Sequence, residues 1–148
     1  MRLILMRHGK SAYPKGVGDH DRPLNARGRL CAALMGAWLT ENGWLPDLAL
    51  VSSAARAQET WEQAGIEVQM RTVPELYLAP PEVVLRAARS AGAASVMVVA
   101  HNPGLAVLAS DLVRDRPDHP RFMDFPTCAT LVVEGGEALG FAVPRDLA

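Results

Sequence analysis

The sequence predicts an α/β fold, a three-layer α/β/α sandwich with a mainly parallel central sheet and an antiparallel hairpin at its C-terminal edge. Short apolar runs at 3–6, 48–51 and 95–100 alternate with helical segments, which is typical of parallel strands joined by right-handed helical crossovers. Two further strand-like segments are separated only by Glu134-Gly135-Gly136-Glu137, a spacing that predicts a hairpin. The 148 residues show no shift in composition, so we expect a single domain over residues 1–148.

The first half of the chain contains three predicted strands and two predicted helices. Asn25 is the expected N-cap of the first helix, and Gly43 closes it. The buried face of this helix is predicted to carry Leu30, Ala33, Leu34, Ala37 and Trp38. Strand 48–51 follows, then a helix over 56–64, and the alternation in 67–73 predicts an edge strand.

The second half repeats the strand–helix pattern. Pro81 suits the first turn of a helix that runs to about residue 90. The run 95–100 predicts a buried strand and 105–113 a helix, and 114–126 is a polar loop. Segments 129–133 and 138–143 form the predicted hairpin.

The composition narrows the class of protein. Hydrophobic residues make up 49% and charged residues 21%, and the net charge is -1, so no general basic field attracts nucleic acid or a membrane. No apolar stretch is long enough to span a bilayer, and no signal peptide is visible. The two cysteines lack metal-type spacing, which indicates reduced thiols in a cytoplasmic protein. We expect a monomer or a weak homodimer.

Polar residues follow three of the predicted strands. Arg7 and His8 follow the first, Ser52-Ser53 with Arg56 one turn later follow the second, and His101 follows the 95–100 strand. Carboxyl ends of parallel strands lie on one edge of a sheet, where ligands bind. Two arginines and two histidines are therefore expected around one crevice. The alternative is that each group only caps its strand at the surface.

Such a cluster suits phosphate chemistry. Guanidinium groups match phosphate oxygens, and nearby cations favour neutral imidazole, which is a nucleophile. The second histidine, protonated beside a dianionic phosphate, can stabilise developing charge. The sequence contains neither a Walker loop nor a Gly-x-Ser-x-Gly elbow, which argues against nucleotide-driven phosphoryl transfer and serine hydrolase chemistry.

Three motifs resemble those of the histidine phosphatase superfamily, which also includes the cofactor-dependent phosphoglycerate mutases. They are Leu5-Met6-Arg7-His8-Gly9-Lys10-Ser11, Ser52-Ser53-Ala54-Ala55-Arg56-Ala57-Gln58-Glu59-Thr60 and His101-Asn102-Pro103. Asp21-Arg22-Pro23-Leu24 with Arg27-Gly28 and the short chain resemble the SixA-type phosphohistidine phosphatases. The resemblance extends from about residue 1 to the final hairpin.

The resemblance implies a role for each matching residue. His8 would attack phosphorus and become a phosphohistidine, which water would hydrolyse, while Arg7, Arg56 and His101 would bind the phosphoryl oxygens. Neither a metal nor a cofactor is implied.

Two further substrate-binding residues are expected on the same grounds. Asn102 belongs to the third motif, and Arg22 would reach the same phosphate in SixA-type members. The alternative for Arg22 is a surface ion pair with Asp19 or Asp21.

Glu75 is the candidate general acid, because mutase-type members carry a glutamate after a loop beyond the second motif. The alternative is an ordinary exposed loop carboxylate. An alkoxide leaving group needs a proton, whereas a phosphoramidate nitrogen leaves more readily. A missing acid would therefore favour phosphohistidine as the substrate.

Several remaining polar residues are assigned no metal or catalytic role. Asp19-His20-Asp21 and Asp118-His119 are interpreted as loop charges rather than a metal site, with both histidines exposed. Lys10 and Ser11 could contact phosphate or serve a turn.

The predicted function is removal of phosphate from phosphohistidine on a protein partner. One alternative is a phosphatase for small phosphomonoesters, and the other is a non-catalytic module that binds phosphate or phosphoprotein. A mutase is least favoured, because the chain is short for a site that reorients a bisphosphate.

Overall fold

The computed structural model describes residues 1–148 and contains a six-stranded sheet with helices on both faces. The strands are β1 (Arg2–Arg7), β2 (Leu48–Ser52), β3 (Gln69–Val73), β4 (Ser95–Ala100), β5 (Thr130–Glu134) and β6 (Glu137–Ala142). The helices are α1 (Ala26–Glu41), α2 (Ala55–Ala64), α3 (Pro81–Arg89), α4 (Gly104–Leu112) and the short α5 (Pro144–Leu147). Two 3-10 turns, Asp19–Asp21 and Pro74–Leu76, lie in the connections.

The strand order is β3-β2-β4-β1-β5-β6. The first four of these strands are parallel, β5 runs antiparallel to β1, and β6 runs antiparallel to β5. This arrangement confirms the predicted α/β class and the antiparallel hairpin at the sheet edge. It also places β2, β4 and β1 side by side, so the three polar strand ends are neighbours.

The β1 strand is apolar throughout because both of its faces are covered. Leu3 and Leu5 pack into the core with α3 and α4, whereas Ile4 and Met6 pack into the core with α1 and α2. Such burial on both faces explains a continuous apolar run rather than an alternating one. The register pairs Arg7 with Ala100 of β4, so the residues that follow both strands leave the sheet together.

The buried face of α1 differs from the prediction. Leu30 is 63% exposed, and the buried residues are Gly28, Ala32, Met35, Gly36 and Leu39. The helix carries apolar residues on all of its sides, so the spacing of these residues does not identify one buried face. Close backbone approach decides it instead, since a Cβ at Gly36 would lie 1.8 Å from the carbonyl oxygen of Ala64 in α2.

None of the helices is both long enough and apolar enough to cross a membrane.

The N-cap prediction for α1 is confirmed, because the Asn25 side chain accepts a hydrogen bond from the Gly28 N–H. Gly43 and Gly65, which follow α1 and α2, both have positive φ, as expected of residues that close helices.

Candidate active site

The residues predicted for the crevice surround one cavity of about 200 Å³ at the carboxyl ends of β1, β4 and β2. A larger cavity of about 460 Å³ lies beside the β5–β6 hairpin, but none of the predicted site residues lines it. No acidic side chain lines the smaller cavity. Its lining residues are Arg7, His8, Lys10, Ser11, Tyr13, Arg22, Arg56, Leu78, His101, Asn102 and Thr127.

His8 is buried with one ring nitrogen held by the backbone. Its Nδ1 lies 2.8 Å from the carbonyl oxygen of Gly9, and a carbonyl can only accept, so Nδ1 carries the hydrogen. Burial is the main cause that lowers the pKa of His8 to about 3, and the nearby His101 and Arg7 contribute to that shift. The ring is therefore neutral at ordinary pH, with a lone pair on Nε2.

Arg56 connects His8 to the loop that precedes α1. Its Nε donates to His8 Nε2 at 3.4 Å, which fits a lone pair on that nitrogen. Its Nη1 donates to the carbonyl oxygen of Asp19 at 2.7 Å, and Nη2 donates to Asp19 Oδ2 at 3.1 Å. Arg56 is only 3% exposed, so these contacts fix its guanidinium.

The Asp19 carboxylate contacts three side chains, although its sequence context predicts only a loop charge or a surface partner of Arg22. Arg22 donates to Asp19 Oδ1 from Nε at 3.2 Å and from Nη2 at 3.1 Å, and the Tyr77 hydroxyl donates to Oδ2. The Tyr77 hydrogen bond is the main cause that holds the pKa of Asp19 well below its usual range, and hydrogen bonds from Arg22 and Arg56 add to it. Asp19 is therefore ionised, and it orients both arginines.

Arg22 lies between Asp19 and the cavity. It forms the ion pair with Asp19, and it also lines the cavity. Its Nη1 donates to Ser11 Oγ at 2.5 Å and to the Ala12 carbonyl oxygen at 3.2 Å, and its guanidinium lies 4.1 Å above the Tyr13 ring. Ser11 thus holds Arg22 at the cavity.

His101 presents a free ring nitrogen beside His8. The two rings are 5.1 Å apart, and His101 Nε2 forms a 2.8 Å hydrogen bond with Ser52 Oγ. Nδ1 is buried and has no protein partner. Burial is the main cause that lowers the pKa of His101 to about 4, and the charge of Arg56 contributes to that shift. An anion in the cavity would offset the effect of Arg56 and supply a partner for Nδ1.

Arg7 lines the same cavity as His101 and also has hydrogen-bond donors without a protein partner. Its Nη1 donates to the Phe125 carbonyl oxygen at 3.4 Å, while its Nε is buried without a partner. Burial and the neighbouring Arg56 lower the pKa of Arg7. Buried polar groups are normally satisfied, so unused donors on Arg7 and an unused nitrogen on His101 indicate a cavity built for an oxyanion.

Comparison with known proteins agrees with this geometry. Residues 3–77 match the histidine phosphatase superfamily (branch 1). An uncharacterized protein of Mycobacterium tuberculosis is 39% identical over 95% of this chain and 100% of its own length. The phosphohistidine phosphatase SixA of Escherichia coli is 31% identical over 76% of this chain and 74% of its own length. The chain belongs to the histidine phosphatase superfamily.

Solved structures of SixA-type histidine phosphatases share the whole fold. One from Agrobacterium tumefaciens, described as a candidate phosphohistidine phosphatase SixA, has a TM-score of 0.84 at 28% identity and covers 97% of this chain and 98% of its own. The protein histidine phosphatase SixA in complex with tungstate has a TM-score of 0.79 at 28% identity over 100% of both chains. Family membership and these neighbours identify the chain as a phosphatase.

Two residues whose roles the sequence does not reveal hold the loop that carries the Arg-His-Gly motif of this histidine phosphatase. The Gly9 N–H donates to Thr60 Oγ1 at 2.9 Å, and that hydroxyl donates to the Arg56 carbonyl oxygen at 2.7 Å. On the other side, a Cβ at Gly28 would lie 2.2 Å from the carbonyl oxygen of Lys10. Both residues fall inside the quoted motifs, but only the fold shows that they position the loop.

Asn102, the expected phosphate contact of the third motif, forms hydrogen bonds with the backbone. It lines the cavity, but its Nδ2 donates to the carbonyl oxygens of Phe125 at 2.8 Å and Asp124 at 3.1 Å. Its Oδ1 accepts from the Ala106 N–H at 3.2 Å. Since the backbone uses both ends of the amide, Asn102 fixes the 114–126 loop beside the site.

Glu75 is exposed on the 3-10 turn Pro74–Leu76 and does not line the cavity. This placement matches the alternative interpretation, an exposed loop carboxylate. Tyr77, two residues later, turns toward the site instead and contacts Asp19. The segment that was expected to place the carboxyl group of Glu75 at the site therefore places the phenol of Tyr77 near it. A hydrogen bond to Asp19 raises the pKa of Tyr77.

The two loop histidines are less exposed than expected. His20 forms a 2.8 Å hydrogen bond with Ser53 Oγ and packs edge-on against Tyr77 at 4.7 Å. His119 lies far along the chain and bonds Asp146 at 2.9 Å. Both are half-buried. Their partners come from distant parts of the chain, which local sequence patterns do not reveal.

Proposed function

We propose that this chain is a phosphohistidine phosphatase that acts on proteins through a phosphorylated His8, without a metal ion. The observation that carries the proposal is the fixed tautomer of His8. Gly9 holds the Nδ1 hydrogen, so the lone pair on Nε2 is available next to Arg56. A neutral nucleophile beside unused cationic donors suits attack on a phosphoryl group. We further propose that residues 1–148 act as one cytoplasmic domain.

In the first step, His8 Nε2 attacks the phosphorus atom of the substrate. A bond forms between Nε2 and phosphorus, and the bond from phosphorus to the substrate imidazole breaks. The electron pair of that bond stays on the leaving nitrogen, which takes a proton from water. Arg7, Arg22 and Arg56 stabilise the negative charge on the phosphoryl oxygens throughout.

In the second step, water attacks the phosphorus atom of phospho-His8. The bond to Nε2 breaks, its electron pair returns to the ring, and inorganic phosphate leaves. His101 binds a phosphoryl oxygen through Nδ1, which has no protein partner. Ser52 holds the opposite nitrogen of that ring at 2.8 Å and so keeps Nδ1 directed at the oxyanion.

The carboxyl groups near the site support phosphohistidine as the substrate. Asp19 is ionised because Tyr77, Arg22 and Arg56 stabilise its carboxylate, so it has no proton to give. Glu75 is exposed and outside the cavity. An alkoxide needs a proton donor to leave, but a phosphoramidate nitrogen manages without one. Relatives named as phosphohistidine phosphatases, and one solved with the tetrahedral oxyanion tungstate, add support.

Phosphate release from a phosphohistidine-bearing protein domain tests the proposal. Wild type and His8→Ala are compared with a chelator present. We expect release by wild type alone. Equal release by both proteins would contradict the role of His8, and loss of activity with chelator would contradict the metal-free mechanism. No release by wild type would leave two alternatives, small phosphomonoesters and a binding module, which a panel of metabolite esters separates.

A further inference from the structure

A second cavity lies beside the active site, and four cations surround it. Its volume is about 230 Å³, and its lining includes Lys10, Arg27, Arg121 and Arg145. These residues come from four separate segments: the loop after β1, helix α1, the 114–126 loop and helix α5. No acidic side chain lines the cavity. We call it the cationic cavity.

Most of these cations have no partner within the protein. Lys10, Arg27 and Arg145 form no salt bridge, and Arg121 pairs only with the exposed Asp124 at 2.9 Å. The chain as a whole has a net charge of -1, so the grouping does not reflect a general excess of basic residues. Like charges around one cavity repel, and an anion placed among them would offset that repulsion.

The cationic cavity adjoins the active site. Lys10 and Thr127 line both cavities, and Lys10 is only two residues from His8 in the chain. A molecule whose phosphoryl group lies at His8 can therefore place a second anionic group among the four cations.

We propose that the cationic cavity binds carboxylate side chains that flank the phosphohistidine of a protein substrate. This inference rests on the proposed function and adds a substrate class to it. The four cations are all exposed, so they fit a broad acidic surface rather than an enclosed small-molecule subsite. Tyr13 and Leu78, which line the active site, are 76% and 55% exposed. Exposed apolar groups beside a polar rim are typical of a protein contact.

Two matched phosphohistidine peptides test the inference. One carries aspartates beside the phosphohistidine, and the other carries asparagines at the same positions. For wild type, we expect kcat/KM to be about three- to tenfold higher for the aspartate peptide, the range expected of a few exposed ion pairs. High salt should reduce this ratio because the charges are exposed. In the double variant Arg27→Ala/Arg145→Ala the ratio should fall to about one.

The double variant Arg86→Ala/Arg89→Ala is the matched control. It removes the same charge from α3, on the opposite face of the sheet from α1, and we expect it to keep the wild-type ratio. The inference is wrong if wild type does not distinguish the peptides, if Arg27→Ala/Arg145→Ala keeps the preference, or if the control loses it equally. If neither peptide is hydrolysed, the proposed function fails, and the ratio of the two binding affinities, measured by titration, decides the inference instead.

Discussion

His8 Nδ1 lies 2.8 Å from the carbonyl oxygen of Gly9, so the nitrogen that faces Arg56 is the one without a hydrogen. The backbone, rather than a carboxylate partner, selects this tautomer. Burial then keeps the ring neutral, since the pKa of His8 is lowered to about 3. The nucleophilic state of His8 is thus present before substrate binds.

The two active-site histidines should make stability depend on pH. Their pKa values are about 3 and about 4 in the folded chain, against about 6.5 for an unperturbed histidine. Below about pH 6.5 the unfolded chain binds more protons, so the free energy of unfolding should fall by about 5 kcal/mol between pH 7 and pH 4.5, about half of it from each histidine. Urea unfolding at several pH values measures this change. The double variant His8→Asn/His101→Asn should show a smaller fall, and an identical fall would contradict the account.

Gly28→Ala should damage the Arg-His-Gly loop. The new Cβ would lie 2.2 Å from the Lys10 carbonyl oxygen, a backbone atom that cannot turn aside. We expect kcat/KM to fall at least about tenfold, because a small displacement of catalytic groups is costly, although alanine is by itself the better helix former. Gly18→Ala is the control, since nothing lies within 4 Å of its Cβ position and its φ is -68°. Equal activity of both variants would argue against this packing role.

Thr60→Val should weaken the support beneath the same loop. The hydroxyl that accepts from the Gly9 N–H is lost, and Thr60 is fully buried, so that donor is left unsatisfied. We expect a loss of about 1–3 kcal/mol in the free energy of unfolding, measured with urea, and a lower kcat/KM. Thr72→Val changes an exposed residue on the edge strand β3 and should cost much less. Equal losses in both variants would contradict a special role for Thr60.

Asp19→Asn tests whether Asp19 positions arginines or donates a proton. The variant loses the charge that orients Arg22 and Arg56, so kcat/KM should fall about tenfold. A phosphoramidate and an alkyl phosphate should be affected equally, because the ionised carboxylate supplies no proton. Selective loss of alkyl phosphate hydrolysis would instead make Asp19 the general acid. Asp21→Asn is the control, since Asp21 contacts only His20 at 3.6 Å.

The sequence predicts those parts of the fold that local patterns determine. The strand over residues 95–100 is found at its predicted bounds, because a run buried on both faces leaves an unbroken apolar signal. The predicted buried face of α1 was wrong. The close contact between Gly36 and the backbone of Ala64 decides which face is buried and outweighs the positions of the larger apolar residues. Apolar periodicity does not encode such a contact.

In the active site too, the features that depend on local sequence patterns were predictable, and those that depend on distant contacts were not. The convergence of Arg7, His8, Arg56 and His101 was predictable, because parallel strands bring their carboxyl ends to one edge. The role of Asp19 was not, because Asp19 contacts Arg56 and Tyr77 from 37 and 58 residues away. The hydrogen bonds of the Asn102 amide to the 114–126 loop were not predictable either, because that loop has no sequence signal of its own.

In the proposed mechanism, His8 carries the phosphoryl group during turnover. The most direct measurement is a rapid quench of the reaction with a phosphohistidine-bearing protein, followed by mass spectrometry of the peptide that contains His8. We expect one phosphoryl group on that peptide during turnover, located on His8, and none in His8→Ala or after all substrate has been consumed. Turnover by wild type without any phosphorylated His8, or phosphorylation at His101 instead, would contradict this mechanism.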